Sequence, residues 1–134
     1  MKKSIIKRNR GSEIITTPIV IAIGLMLISM LIVFCVNILM PYVWYEKLSS
    51  TCLKYVFVME EYGYLTNKEK ANLIKELQTQ GFDTTKLTVT STSKRQNYGS
   101  SIYLKVNYIY KMNLPIVGTK NVVMNINRES VSKR

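Results

Sequence analysis

Histidine is absent from the sequence, and cysteine occurs only twice. No Cys–His or carboxylate cluster is present from which a zinc centre or a nucleophile–base pair is built. Glu60 and Glu61 are adjacent, but consecutive residues on a helix point about 100° apart and do not converge on a substrate. There is no P-loop, no Gly-rich dinucleotide turn and no internal repeat. These absences argue against an enzyme and against a bound metal or cofactor. Cys35 and Cys52 make no disulfide framework. A helix joining them would hold them roughly 25 Å apart, too far to pair. Cys52 reads as a small buried apolar residue, with pairing between subunits as the alternative.

Acidic residues are also few, 8 against 19 Lys and Arg, for a formal charge of +11. After Pro41 the balance is 14 basic to 7 acidic. A basic domain suits anionic lipid headgroups, cell-wall polymer or DNA. The lysines are spread along the chain, however, and no nucleic-acid-binding motif accompanies them, so the reading is a solvated basic surface with no specific nucleic-acid partner.

Charge is missing altogether from Ile14 to Met40. The most apolar part, Ile19 to Leu39, covers roughly 30 Å as a helix, the thickness of a bilayer core. Ser29 can bond to a carbonyl one turn back, and Asn37 lies near the end of the run. A chain of 134 residues is too small to bury so uniform a helix. The segment is therefore expected to be a single transmembrane helix. A cleaved secretory signal is the competitor, but the run is longer than an ordinary h-region and no A-x-A-like site follows. Cys35 follows Phe34, where a lipoprotein signal needs a small residue. Lys2, Lys3, Lys7, Arg8 and Arg10 precede the span, and only Lys47 and Lys54 follow it closely. The positive-inside rule then puts the N-terminus in the cytoplasm and the remainder on the far side. Tyr42, Trp44 and Tyr45 mark the exit as an aromatic belt.

Residues 41–134 are long enough for one small domain with a modest core. Pro41 is expected to bend the helix by removing the bond to the Asn37 carbonyl. Tyr45, Leu48, Cys52, Tyr55, Val56, Met59 and Tyr62 then recur at steps of three and four, an amphipathic stripe opposite Lys47, Ser50, Lys54 and Glu61. Gly63 is the expected stop. Thr66 to Glu69 forms a capping box that opens a short helix through Gln80. Its buried side is read as Ala71, Ile74, Leu77 and Leu73, and Gly81 as its C-terminal cap. Period-two alternation follows in Leu87–Thr90, in Ile102, Leu104, Val106, Tyr108 and Tyr110, and in Val122, Met124 and Ile126. Ser93–Ser101 and Leu114–Gly118 separate the three. The expected fold is α+β: a long N-terminal helix, a short helix and a three-stranded antiparallel sheet, each with one apolar face to hide.

This layout resembles that of type IV pilin-like proteins. The stretch Lys7-Arg8-Asn9-Arg10-Gly11-Ser12-Glu13 resembles the basic, Gly-ending leader of prepilins and TadE-like pseudopilins. Over nearly its full length the chain is similar to TadE-like proteins of Gram-positive bacteria often associated with conjugative elements, which share an Arg-Gly start, one span, a Pro near its exit and a β-rich tail. The resemblance implies that a membrane aspartyl peptidase cuts after Gly11, removes residues 1–11 and leaves Ser12 as the new N-terminus. It also implies pilin-like subunits and assembly-machine proteins as partners. The sequence departs from the prepilin pattern at one point. Prepilins usually carry Glu at the fifth position after the cut, whereas here Thr16 holds the fifth and Glu13 the second. Glu13 is the candidate for pairing with a neighbour's N-terminal amine, with plain solvation as the alternative. Gly24 and Ser29 are candidates for close helix packing between subunits.

Two functions stay open on the sequence. One is a pseudopilin that serves a Tad-like pilus, secretion or conjugation apparatus. The other is a membrane-tethered binding module, for which Tyr103, Tyr108 and Tyr110 would supply a contact surface.

Overall fold

A computed structural model describes the backbone of residues 10–114 and 117–134 and the side chains of 15–114 and 117–134. The chain divides into two compact units, Met1–Val36 and Asn37–Arg134. Helix α1 (Arg10–Tyr62) contributes to both, and the second unit adds α2 (Asn67–Thr79), β1 (Leu87–Ser91), β2 (Ser101–Leu114) and β3 (Gly118–Val131). The fold is α+β, as the sequence patterns predict.

In the first unit the described side chains from Ile15 onward are exposed, apart from a partly covered Gly24. Helical structure continues through Pro41 without a break. Among the described residues this is the one helix long and apolar enough to cross a membrane.

The second unit is built around a single buried cluster. Leu48, Cys52, Tyr55, Val56 and Met59 of α1 share it with Leu73 and Leu77 of α2, Phe82, Ile102, Leu104, Val106 and Tyr108 of β2, and Met124 and Ile126 of β3. The stripe on α1 is therefore buried at its centre, while its two ends, Tyr45 and Tyr62, are exposed. The helix stops where Gly63 turns to a φ of 78°, and the Gly63 amide donates to the Met59 carbonyl at 2.7 Å.

Helix α2 opens on Thr66, whose hydroxyl accepts from the Glu69 amide at 3.2 Å. It closes in a Schellman motif. The Phe82 amide donates to the Leu77 carbonyl and the Gly81 amide to that of Gln78, both at 3.0 Å, with Gly81 at a φ of 97°. Phe82 and Leu77 then meet in the core, the apolar contact that usually accompanies this cap. One expectation for α2 is corrected: Ala71 is exposed and Ile74 only half-buried, and Leu73 with Leu77 carries the buried side. Residues four apart stand one above the other on a helix, so choosing Leu73 rotates Ala71 outward.

The sheet is antiparallel in the order β1-β2-β3. Its rows pair Leu87 with Tyr108 and Met124, and Val89 with Val106 and Ile126. Those rows face the helices. The inward positions of β3 run on past Ile126 to Arg128 and Ser130, beyond the apolar pattern that marks the strand in the sequence. A short 3-10 turn, Thr84–Lys86, leads into β1 and has no apolar signature. Asp83 caps it by accepting from the Thr85 amide at 3.0 Å. Within the Leu114–Gly118 connection, Pro115 and Ile116 lie outside the described residues.

Candidate functional site

The residues expected to be functional lie at the start of α1 and along its apolar part. The leader through Asn9 lies outside the described residues. Gly11 and Ser12 have helical backbone near the start of α1, but their side chains and that of Glu13 lie outside the described set. A Cβ added at Gly24 would meet nothing within 4 Å. The Ser29 hydroxyl donates to the Leu25 carbonyl at 2.8 Å, the expected bond one turn back. Five residues of helix separate Gly24 from Ser29 by about 140° of rotation, so they do not share a face.

A set of polar contacts with little local signature in the sequence seats α2 and β3 on the part of α1 that belongs to the second unit. The Arg128 guanidinium donates to the Ser49 hydroxyl at 2.7 Å. Ser130 donates to the Glu60 carboxylate, which is also ion-paired with Lys133. Glu60 is buried. Lys133 and then Ser130 hold its carboxyl below the usual carboxylate range, against the opposing effect of burial. On the other flank Glu76 of α2 accepts from Lys54 at 2.9 Å and from the Tyr55 hydroxyl at 2.9 Å. Burial, and then Glu76, pushes the Tyr55 phenol up to about 12. The Gln80 amide donates to the Thr51 hydroxyl at 3.0 Å. These contacts join residues far apart in the chain, and the one available signal was the continued period-two placement of Arg128 and Ser130.

Among the described residues of the second unit, two concavities stand out. One, of about 500 Å³, is lined by Phe57, Glu60, Glu61, Lys133 and Arg134. Its buried carboxylate is already paired and is held ionised, so it is poorly matched to proton transfer near neutrality. The other is a groove of about 550 Å³ between Pro41, Tyr42 and Tyr45 on α1 and Val122–Asn125 on β3. Among the described residues no group of three His, Cys, Asp or Glu could hold a metal ion.

The aromatic residues divide differently from the sequence expectation. Trp44 is drawn into the domain, edge-on to Phe82 at 4.8 Å and tilted over Tyr110 at 6.1 Å, so only Tyr42 and Tyr45 of the expected belt are exposed. Tyr108 is buried and Tyr110 half-buried, which leaves Tyr103 alone facing outward. The three tyrosines therefore form no common contact surface, because Tyr103 has the opposite parity on β2. Comparison of the chain with family models, with characterised proteins and with solved structures gives no match.

Proposed function

We propose that the chain is a TadE-like pseudopilin, a non-enzymatic structural or assembly component of a Tad-like pilus, secretion or conjugation apparatus. It is a single-pass membrane protein with its N-terminus in the cytoplasm and residues 41–134 on the far side. The observation that carries this reading is the dual character of α1. An uncharged, exposed helix continues directly into a stripe buried under a three-stranded sheet. A helix of that kind serves both as the subunit's core and as a surface for sister helices.

The basic leader supplies orientation and a means of release. Cleavage after Gly11 would remove five positive charges that hold the N-terminus at the cytoplasmic face. A span freed of them leaves the bilayer more readily for a packed assembly. Glu13 becomes the acid nearest the new amine, and Gly24 and Ser29 lie in the stretch that contacts neighbours.

The test is mass spectrometry of the mature N-terminus, with and without a coexpressed prepilin peptidase. The expected product begins at Ser12 only when the peptidase is present. A chain that retains Met1 or Lys2 with its cognate peptidase would overturn the processing step and leave a permanently tethered module.

A further inference from the structure

The sheet is covered on one side only. Leu104, Val106, Met124 and Ile126 turn into the core, and the residues between them turn the other way. The register sets the rows of that second face. Thr90 stands beside Lys105 and Asn127, and Thr88 beside Asn107 and Asn125. Ile109 then pairs with Val123, and Lys111 with Asn121. All of these are exposed except Asn107, which is half-buried.

Lys105 and Lys111 bracket this stretch, about 20 Å apart at the usual strand rise. Among the described residues neither is in an ion pair. The sequence has no acidic residue from Thr84 to Arg128. Glu129, the one acid of β3, stands diagonally across from Lys105, opposite Tyr103. Between the lysines lie amides, hydroxyls and one apolar pair. Among the described residues, Oδ1 of Asn107 is the buried side-chain atom that lacks a hydrogen-bond partner, and it sits on the central strand in the middle of this face. An acceptor left in that state is costly unless a donor reaches it. These features select the occupant. Lysines without arginine suit the point charge of a phosphate better than a bidentate carboxylate. Amides and hydroxyls pair with hydroxyl groups, and Ile109 with Val123 offers an apolar rest for polyol C–H groups. Nucleic acid needs stacking platforms for its bases, and Tyr103 is the only aromatic side chain on this face among the described residues.

We propose that the uncovered face of the sheet binds an anionic polyol polymer, a chain of polyols linked by phosphodiesters. Its phosphates lie at Lys105 and Lys111, and its hydroxyls meet the row of Thr88, Asn107 and Asn125. The inference goes beyond the pseudopilin reading and does not rest on it.

The test titrates the full chain, in a non-ionic detergent, into dye-labelled poly(glycerol phosphate) and follows fluorescence anisotropy. Binding is expected at low salt and should weaken as salt is raised. Lys105→Gln and Lys111→Gln should each weaken it by about two- to fivefold, and Glu129→Gln should tighten it. Asn107→Val removes an unpaired acceptor, so its Tm should equal or exceed that of the wild type. The same variant should bind the polymer about two- to tenfold more weakly. A Lys68→Gln/Lys75→Gln protein loses two exposed lysines from α2, which packs on the opposite side of the sheet, and should bind as the wild type does. Absence of binding at low salt would overturn the proposal. So would a loss in the α2 variant equal to that of Lys105→Gln/Lys111→Gln, which would leave net charge alone as the cause. Equal or tighter binding of an oligothymidylate with the same number of phosphates, equal binding of polyglutamate, which has charge without hydroxyls, or wild-type binding by Asn107→Val would each overturn it as well.

Discussion

Replacing Gly63 by alanine probes the junction on which the second unit depends, and the structure supplies its own control. Gly63 and Gly99 have the same φ, 78°. A Cβ on Gly99 would meet nothing within 4 Å, whereas one on Gly63 would lie 2.8 Å from the Gln96 carbonyl oxygen and 3.0 Å from the Ser132 hydroxyl. Both substitutions carry the cost of a left-handed L-residue, roughly 1–2 kcal/mol, partly offset by about 0.4–1 kcal/mol from a less flexible unfolded chain. Only Gly63→Ala adds a collision with backbone. Relieving it requires movement of the loop whose Gln96 amide donates to the Gly63 carbonyl at 3.1 Å. Loss of that bond, about 1 kcal/mol, and the overpacking strain, about 1–3 kcal/mol, bring Gly63→Ala to roughly 2–6 kcal/mol. Gly99→Ala should stay near 1 kcal/mol or below. For a domain of this size the difference is a Tm gap of about 4–8 °C per kcal/mol. Thermal unfolding of the full chain in mild detergent, followed by the fluorescence of the single tryptophan, reads it directly, since Trp44 sits against Phe82 in the core. Equal losses at the two positions would refute the steric argument.

Acid should weaken the second unit through Glu60 and Glu76. Both carboxyls are held below their usual range, Glu60 chiefly by Lys133 and Glu76 chiefly by Lys54. A depressed folded-state pKa means that this stability is present above the unfolded value and is lost as pH falls through the folded one. The Tm of the wild type should therefore drop below about pH 4, and a Glu60→Gln/Glu76→Gln variant should start lower at neutral pH and lose less on acidification. Parallel curves for the two proteins would contradict the assignment. Burial pushes the Cys52 thiol up to about 12, so in a Cys35→Ser background no alkylation by iodoacetamide is expected at pH 8 until denaturant is added. Rapid labelling of the folded chain would show that the α1 core is open.

Much of the fold is legible in the residues because each element hides one apolar face. The stripe from Leu48 to Met59, the cap at Thr66, the stop at Gly63 and the alternation of all three strands depend on local periodicity and on single side-chain chemistry. Those signals survive in a linear string. Where they weaken, the sequence reading fails in recognisable ways. Ala71 is small enough to sit on either side of a helix boundary, and Leu73 outcompetes it for the core. The turn at Asp83 is held by hydrogen bonds to Thr85 and carries no hydrophobic pattern. Strand β3 looks finished at Ile126 because its next inward residues are Arg128 and Ser130, whose partners Ser49 and Glu60 lie 70 or more residues away.

The sequence by itself determined the uncharged run from Ile14 to Met40, the scarcity of acidic groups, and the absence of the histidine on which much site chemistry relies. Composition and period suffice for these, since burial of apolar surface does not depend on which partner covers it. Only the tertiary structure decided that Trp44 packs against the core, that Tyr108 and Tyr110 are not a surface with Tyr103, and that Glu60 is ion-paired in place by Lys133. It alone brought the Val122–Asn125 stretch beside Pro41. The physical reason is that strand parity and antiparallel register set which side chains share a face, and register is fixed by pairing between distant segments rather than by any residue alone.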